Sequence, residues 1–271
     1  PMCVNGANVP GWEGAVRFGK GEYAVAEVDE SDRSLVAFKP YAAIVTNASA
    51  DHYSKEEMDE VFDAFVKDCE GPVIDGRGRL DVLEGLDALE VPVPGAHNRQ
   101  NAEMAVRMAV ALGVSPDRAI AAMKTFRGVE RRLQRYGANV YDDYAHNPEK
   151  LKAMWMTLAE KHPEGICVIW RPHGYAPLRK MMDALAAMFA ETVRPCDKLL
   201  LLPVYDAGGT TDRSVNSDEL IRRIGAIEQS EQSNNQTLQV ADLDAAYTWC
   251  EAHKGDYAAF VTCGARDPGL P

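Results

Sequence analysis

The chain has 271 residues, 46% hydrophobic and 26% charged, the ordinary proportions of a soluble globular protein. A net charge of −12 argues against a broad electrostatic footprint for nucleic acid, so any nucleotide site needs its own local cations. Six scattered cysteines without a C-x-x-C pair suggest neither zinc nor a disulfide framework, and read as reduced thiols of a cytoplasmic protein. No apolar run reaches the length of a membrane span, and the length permits two domains.

In chain order, Tyr23-Ala-Val-Ala reads as a short buried-type strand running into Glu27-Val-Asp-Glu-Ser-Asp32. Ala42 to Asn47 reads as a second strand, followed by Asp51 and His52. Carboxylates and an imidazole released at the ends of two strands can hold a divalent ion, or they can be caps and solvated turns. Lys55 to Lys67 has helical spacing, with Val61, Phe62, Phe65 and Val66 on one face. Gly71 to Pro94 reads as short strands and turns.

Gly95 to Ala102 opens an alanine-rich helix that stops at Gly113. Asn98 and Asn101 share a face near its start, where two amides can read the edge of a base or simply cap the helix. Ser115-Pro116 starts another helix with Ile120, Met123 and Phe126 inward, and Gly128 to Arg132 then crosses to a second domain. Paired arginines there can clamp phosphate or form a solvated face.

The second domain alternates strand and helix patterns, which predicts a mostly parallel, doubly wound α/β sheet. Its first strand, Asn139 to Tyr141, releases Asp142, Asp143, Tyr144 and His146 into a loop. Asn147 and Pro148 then suit the N-cap and first turn of a helix whose apolar face is Leu151, Met154, Trp155 and Leu158. Spacing alone leaves Asp142 and Asp143 open between turn residues and functional groups. Strand Ile166–Trp170 leads to His173 and a helix with Leu178, Met181, Met182, Leu185, Met188 and Phe189 inward, a methionine stripe read as core. Lys198–Leu202 is a strand, Ser217 a cap, Ile227 to Thr237 a polar loop, Ala241–His253 a helix and Ala258–Thr262 the last strand. Loops carrying His146, His173, Tyr205 and Asp267 all follow strands, which gathers them on one edge where open sheets bind ligands.

Six short motifs occur in one order. They are Glu27-Val-Asp-Glu-Ser-Asp, Thr46-Asn-x-x-x-Asp-His52, Gly95-x-His-Asn-x-x-Asn-Ala102, Gly128-x-x-Arg-Arg132, Asp142-Asp-Tyr-Ala-His-Asn-Pro148 and Pro172-His173. Together they resemble the Mur ligase family, most closely its L-alanine-adding branch, over nearly the whole chain. The resemblance implies residues 1–127 as a partial central ATP-binding domain and 128–271 as a Rossmann-like C-terminal domain. It also implies that the UDP-sugar domain and the Gly-Lys-Thr phosphate loop precede residue 1, so that the 271 residues alone do not ligate.

The activity so implied is amide ligation in peptidoglycan synthesis, joining UDP-N-acetylmuramate to a small amino acid through an acyl phosphate, with ATP and magnesium. Glu27 and His52 match magnesium-site and catalytic residues, Arg132 a phosphate contact, and Asn98 and Asn101 adenine contacts. Asp142 or Asp143 would approach the nucleotide, and Tyr144, His146 and His173 match the side that receives the amino acid. Ser49 stands where the family often has an acid, and Gly174 and Pro177 stand where arginines are usual. These departures leave two rivals: a murein tripeptide ligase of cell-wall recycling, and a non-catalytic nucleotide-binding relative.

Overall fold

The computed structural model describes residues 1–29, 34–48, 55–78, 86, 89–228 and 236–265. The chain divides into two compact units, Pro1–Glu130 and Arg131–Pro271. Glu30, Asp32, Ser49, Asp51, His52 and Asp267, all singled out above, lie outside the described residues.

In the first unit, β1 (Met2–Val4) runs antiparallel to β2 (Val16–Arg17) and parallel to β3 (Ala24–Ala26). The expectation of a buried strand here is corrected, because all three residues of β3 are exposed. β3 bonds to β1 alone, so it is an edge strand. The second strand expected, β4 (Ala43–Val45), pairs in parallel with β5 (Val73–Asp75) and alternates, Ala43 and Val45 buried and Ile44 exposed. Helix α1 (Lys55–Val66) buries Met58 and Val61, with Phe62, Phe65 and Val66 half-buried beside them.

Helix α2 (Ala96–Ala111) ends before Gly113, whose φ of 90° is the left-handed turn that glycine takes without steric cost. Gly95, rather than Asn98, holds the N-cap position. Helix α3 (Pro116–Met123) starts with Ser115 at the N-cap and Pro116 in the first turn, as the sequence suggests. Ile120 and Met123 pack with Leu89, Ala102 and Val106, while Phe126 lies past the helix end.

The second unit carries a six-stranded sheet in the order β10-β9-β8-β11-β7-β6. Its strands are β6 (Gln134–Tyr136), β7 (Val140–Asp143), β8 (Ile166–Trp170), β9 (Lys198–Leu201), β10 (Thr237–Gln239) and β11 (Ala259–Cys263). All pair in parallel except β6, which lies antiparallel to β7 on the edge. Two of these strands departed from expectation. β6 has no apolar run to announce it, and the end of the predicted polar loop, Thr237, opens β10.

Helices α4 (Pro148–Lys161), α5 (Tyr175–Thr192), α6 (Ser217–Glu228) and α7 (Leu243–Ala252) cover the sheet on both faces. The period of two along each strand sorts the residues. Ile166, Val168 and Trp170 join Leu151, Trp155, Leu185 and Phe189 in one core. Cys167 and Ile169 face Val240 and Ala246 in the other. Both faces of β8 are therefore buried, which is why it reads as an unbroken apolar run. Burying one such side chain is worth about 1.5–3 kcal/mol. The methionine stripe is core, with Met182 and Met188 buried and Met181 packed against them.

Asp197 ties this core together. It is fully buried and accepts from Trp155 Nε1 at 2.8 Å, the Ile166 amide at 2.9 Å and the Arg194 guanidinium at 2.7 Å. Gly165 makes that approach possible, since a Cβ there would lie 2.2 Å from the Cys196 carbonyl oxygen. Ser217 is not the cap of α6. Asn216 Oδ1 accepts from Glu219 N at 2.9 Å, while Ser217 Oγ donates to the Leu202 carbonyl at 2.7 Å.

Candidate functional site

Strand β11 lies between β7 and β8, so the carboxyl ends of these three strands are neighbours in the second unit. The strand ahead of the loop is longer than expected. Asp142 and Asp143 are its last two residues, paired in register with Thr262 and Cys263. Both acids are buried, and all four of their oxygens accept hydrogen bonds. Asp142 takes Arg131 Nε at 2.9 Å and Thr262 Oγ1 at 3.2 Å. Asp143 takes the amides of Leu133 and Ala145, each at 2.8 Å.

Burial pushes both carboxyls above the ordinary range. The Arg131 and Thr262 donors pull Asp142 part of the way back, and the two amides do the same for Asp143. Arg131 and Leu133 have positive φ, 58° and 48°, which costs non-glycine residues on the order of 1–3 kcal/mol each. Arg131 also donates Nη2 to the Gly264 carbonyl at 2.6 Å, so it spans the ends of β7 and β11. The two acids thus hold the 131–133 segment in a conformation it would not adopt alone.

From that base three rings line up. Tyr144 carries Arg131 and Arg132 over its ring, at 5.3 and 5.6 Å from the centroid. It meets His146 edge to face at 5.3 Å, and His146 meets His173 at 5.0 Å. His146 Nδ1 lies 2.9 Å from the Tyr144 carbonyl oxygen. Asn147 Oδ1 caps α4 through the Lys150 amide at 2.9 Å, as the sequence suggests. The structure thus brings Arg132, Asp142, Asp143, Tyr144, His146 and His173 to one edge of the sheet.

The loop after β9 joins the same edge. Tyr205 N donates to the Pro172 carbonyl at 2.8 Å. Arg213 reaches back to Asp206 at 2.7 Å and lies 5.8 Å from the Tyr175 ring centroid, while Arg179 pairs with Asp212 at 2.8 Å. Sequence reasoning passed over Thr262, Arg213 and Tyr175. The signal for Arg213 was an acid and an arginine seven residues apart across a double glycine, Gly208-Gly209.

The remaining candidates belong to the first unit. Glu27 is exposed and accepts the Gly6 amide on Oε2 at 2.7 Å, leaving Oε1 for one metal bond. Its intended partner His52 lies outside the described residues, among which no group of three or more metal-ligating side chains occurs. Asn98 donates Nδ2 to the Pro94 carbonyl at 2.6 Å in the first turn of α2, and Asn101 is exposed one turn further on. All six cysteines are free thiols. Among the described residues no helix is long and apolar enough to cross a membrane.

The Mur ligase glutamate ligase domain profile matches residues 129–266. A UDP-N-acetylmuramate–L-alanine ligase of Gloeobacter violaceus is 30% identical over 100% of this chain and 67% of its own length. The crystal structure of a UDP-N-acetylmuramate-alanine ligase from Thermotoga maritima superposes with a TM-score of 0.69 at 22% identity, covering 98% of this chain and 66% of that one. A Mycobacterium tuberculosis folylpolyglutamate synthase complexed with ADP gives a TM-score of 0.57 at 15% identity, over 89% and 65%. The chain spans about two thirds of the length of these proteins.

Proposed function

The chain belongs to the Mur ligase family, and we propose that it serves an ATP-dependent ligase joining L-alanine or a similarly small amino acid to UDP-N-acetylmuramate. Residues 1–127 are assigned to the central ATP-binding domain and 128–271 to the C-terminal domain. The observation that carries the reading is the ring series Tyr144, His146 and His173, with two arginines over Tyr144, at the carboxyl ends of parallel strands. That edge is where open α/β sheets take ligands. The Gloeobacter violaceus UDP-N-acetylmuramate–L-alanine ligase, 30% identical along the whole chain, supports the substrate pair.

In this reading the carboxylate of UDP-N-acetylmuramate attacks the γ-phosphate of ATP, and an amine displaces phosphate from the acyl phosphate. Such a reaction calls for cations at the transferring phosphoryl group and a positioned amine. Arg132 is exposed and, among the described residues, forms no salt bridge, its charge only being felt by Asp143, which suits a phosphate contact. Arg131 is held by Asp142 and Gly264 and is assigned to positioning. Glu27 supplies one oxygen, and with His52 would hold magnesium, an ion that keeps several waters and needs few protein ligands. Bound there, magnesium would offset phosphate charge. Asn98 and Asn101 are the adenine contacts. Asp142 and Asp143, with every oxygen already engaged, act by holding the loop that carries Tyr144 and His146, and this is favoured over direct contact with nucleotide.

The acceptor's carboxylate needs a cation other than the arginines usual at 174 and 177. Gly174 and Pro177 begin α5 here, where Arg179, paired with Asp212, and Arg213, paired with Asp206 and over the Tyr175 ring, are cations of that segment and its strapping loop. Phosphate release by the native enzyme, with ATP and UDP-N-acetylmuramate, tests the reading against L-alanine, glycine, L-serine and a murein tripeptide. L-Alanine is expected to give the highest kcat/KM. Preference for the tripeptide would assign the enzyme to cell-wall recycling, and indifference to every amine would point to a binding protein.

A further inference from the structure

Two thiols meet inside the second unit, on elements that the ring series does not use. Cys167 is the second residue of β8 and is fully buried on the face that α7 covers. Cys250, in the last turn of α7, is half-buried and packs against the same cluster. The two side chains interact directly, with the Cys167 S–H directed to the Cys250 sulfur. The fold brings them together from about 80 residues apart in sequence.

Their surroundings give the two sulfurs different characters. The hydrogen bond from Cys167 holds the Cys250 thiol below its ordinary range, against burial and the Glu251 charge. The same bond, together with burial, pushes the Cys167 thiol up. Lys198 pairs in register with Cys167 across β8 and β9, and its charge favours the ionised sulfur. Cys250 is thus the sulfur that ionises and can be reached from solvent. Cys167 sits beside it with a proton in hand. This is the relation of a reactive thiol to its resolving partner. The other thiols of the unit differ. Cys196 is exposed, but its S–H is directed at the Pro163 carbonyl and the Asp197 carboxylate, each at 3.8 Å. Cys263 is fully buried, and burial with the charges of Asp143 and Asp142 raises it.

We propose that Cys250 and Cys167 form a hydroperoxide-sensitive thiol pair, which closes to a reversible disulfide that staples α7 to β8. The Cys250 thiolate attacks one oxygen of the hydroperoxide, and an S–O bond forms as the O–O bond breaks. The O–O pair leaves on the second oxygen, which takes a proton from water. Cys250 is oxidised to a sulfenic acid and the hydroperoxide is reduced to water or an alcohol. The Cys167 sulfur then attacks the Cys250 sulfur. The S–S bond forms, the S–O bond breaks, and the departing hydroxide takes the Cys167 proton and leaves as water. A dithiol reductant reverses the change, as befits the transient disulfides of reducing compartments.

Peptide mapping of the folded 271-residue chain tests this. The chain is treated with hydrogen peroxide, alkylated under denaturing conditions, digested and analysed by mass spectrometry. A Cys167–Cys250 peptide pair, two hydrogens lighter than its parts and lost on treatment with dithiothreitol, is expected. In Cys167→Ser the sulfenic acid should persist at Cys250 and be captured by dimedone. In Cys250→Ser neither the cross-link nor a dimedone adduct at Cys167 should form. Because the bond closes a long loop of the unfolded chain, the oxidised parent should melt higher by on the order of 10 °C. Mapping of the parent decides even if a variant fails to fold. Oxidation of Cys196 while Cys167 and Cys250 are both recovered alkylated would overturn the proposal. So would oxidation of Cys250 to a sulfinic acid without a cross-link. A cross-linked chain that melts at or below the reduced one would overturn the staple.

Discussion

Replacing Asp143 by alanine tests whether the acid pair works by position. Asp143 is 8% exposed, and its two oxygens satisfy the amides of Leu133 and Ala145. Leu133 and Ala145 are themselves buried, so water does not readily take the place of the lost acceptor. An orphaned buried amide costs about 1–3 kcal/mol, which gives about 2–6 kcal/mol for the two. Part of this is offset, because burial pushes the Asp143 carboxyl above its ordinary range and its removal relieves that cost. A net loss of about 2–4 kcal/mol is expected, a large share of the roughly 5–15 kcal/mol that holds a domain folded. The φ of 48° at Leu133 would relax with it, and Tyr144 and His146 would lose their fixed placement. Urea denaturation followed by tryptophan fluorescence reads the stability, since Trp155 and Trp170 lie in this core. The reasoning fails if Asp143→Ala unfolds within about 0.5 kcal/mol of the parent, the range of ordinary surface changes.

Asp197→Asn should destabilise the second unit by about 2–4 kcal/mol, because it weakens the buried Arg194 pair while leaving one acceptor oxygen. Burial raises this carboxyl, but the Arg194, Trp155 and Ile166 donors outweigh burial and leave it below the ordinary range. Its contribution is therefore complete above about pH 4 and is lost as pH falls through the lower folded value. Thermal melts from pH 7 to pH 2 should show the parent and variant converging only at the acid end; a gap that widens on acidification would contradict the sign. Asn98→Ala and Asn101→Ala should each weaken ATP binding roughly 2- to 13-fold, the equivalent of one hydrogen bond worth about 0.5–1.5 kcal/mol. Unchanged nucleotide affinity in both variants, measured by calorimetry on the native enzyme, would remove them from the adenine site. Glu27→Gln keeps an oxygen for the Gly6 amide, so the fold should hold while the apparent magnesium requirement rises on the order of 10–100-fold. A magnesium titration of activity identical to that of the parent would exclude Glu27 as a ligand.

The parallel sheet was legible because burial on both faces writes itself into composition. Ile166 to Trp170 is five apolar residues in a row, and the α4 stripe from Leu151 to Leu158 has one period only. The caps at Asn147 and Ser115-Pro116 were legible because their chemistry is local. The edge strands were legible less well. The apolar run Ala24–Ala26 announced β3 as a strand but misplaced it in the core, since its residues are exposed and it bonds to β1 alone, while β6, with Gln134 half-buried and Arg135 and Tyr136 exposed, carries no apolar signature. The acids were assigned to a loop because polar residues after a strand read as its end, yet Thr262 and Cys263 of β11 extend the pairing through Asp143. That partner is about 120 residues away in sequence, beyond the reach of any local pattern. The ring series was foreseen as a set of residues. Its geometry required the fold.

The central claim is ligation through an acyl phosphate, and oxygen labelling tests it most directly. UDP-N-acetylmuramate carrying ¹⁸O in its lactyl carboxylate is incubated with the native enzyme, ATP, magnesium and L-alanine, and the inorganic phosphate is analysed by mass spectrometry. The account predicts one ¹⁸O transferred to phosphate for each UDP-N-acetylmuramoyl-L-alanine formed, because the carboxylate oxygen that attacks phosphorus leaves with it. Amide product accompanied by unlabelled phosphate, or no product with any amine, would contradict the account.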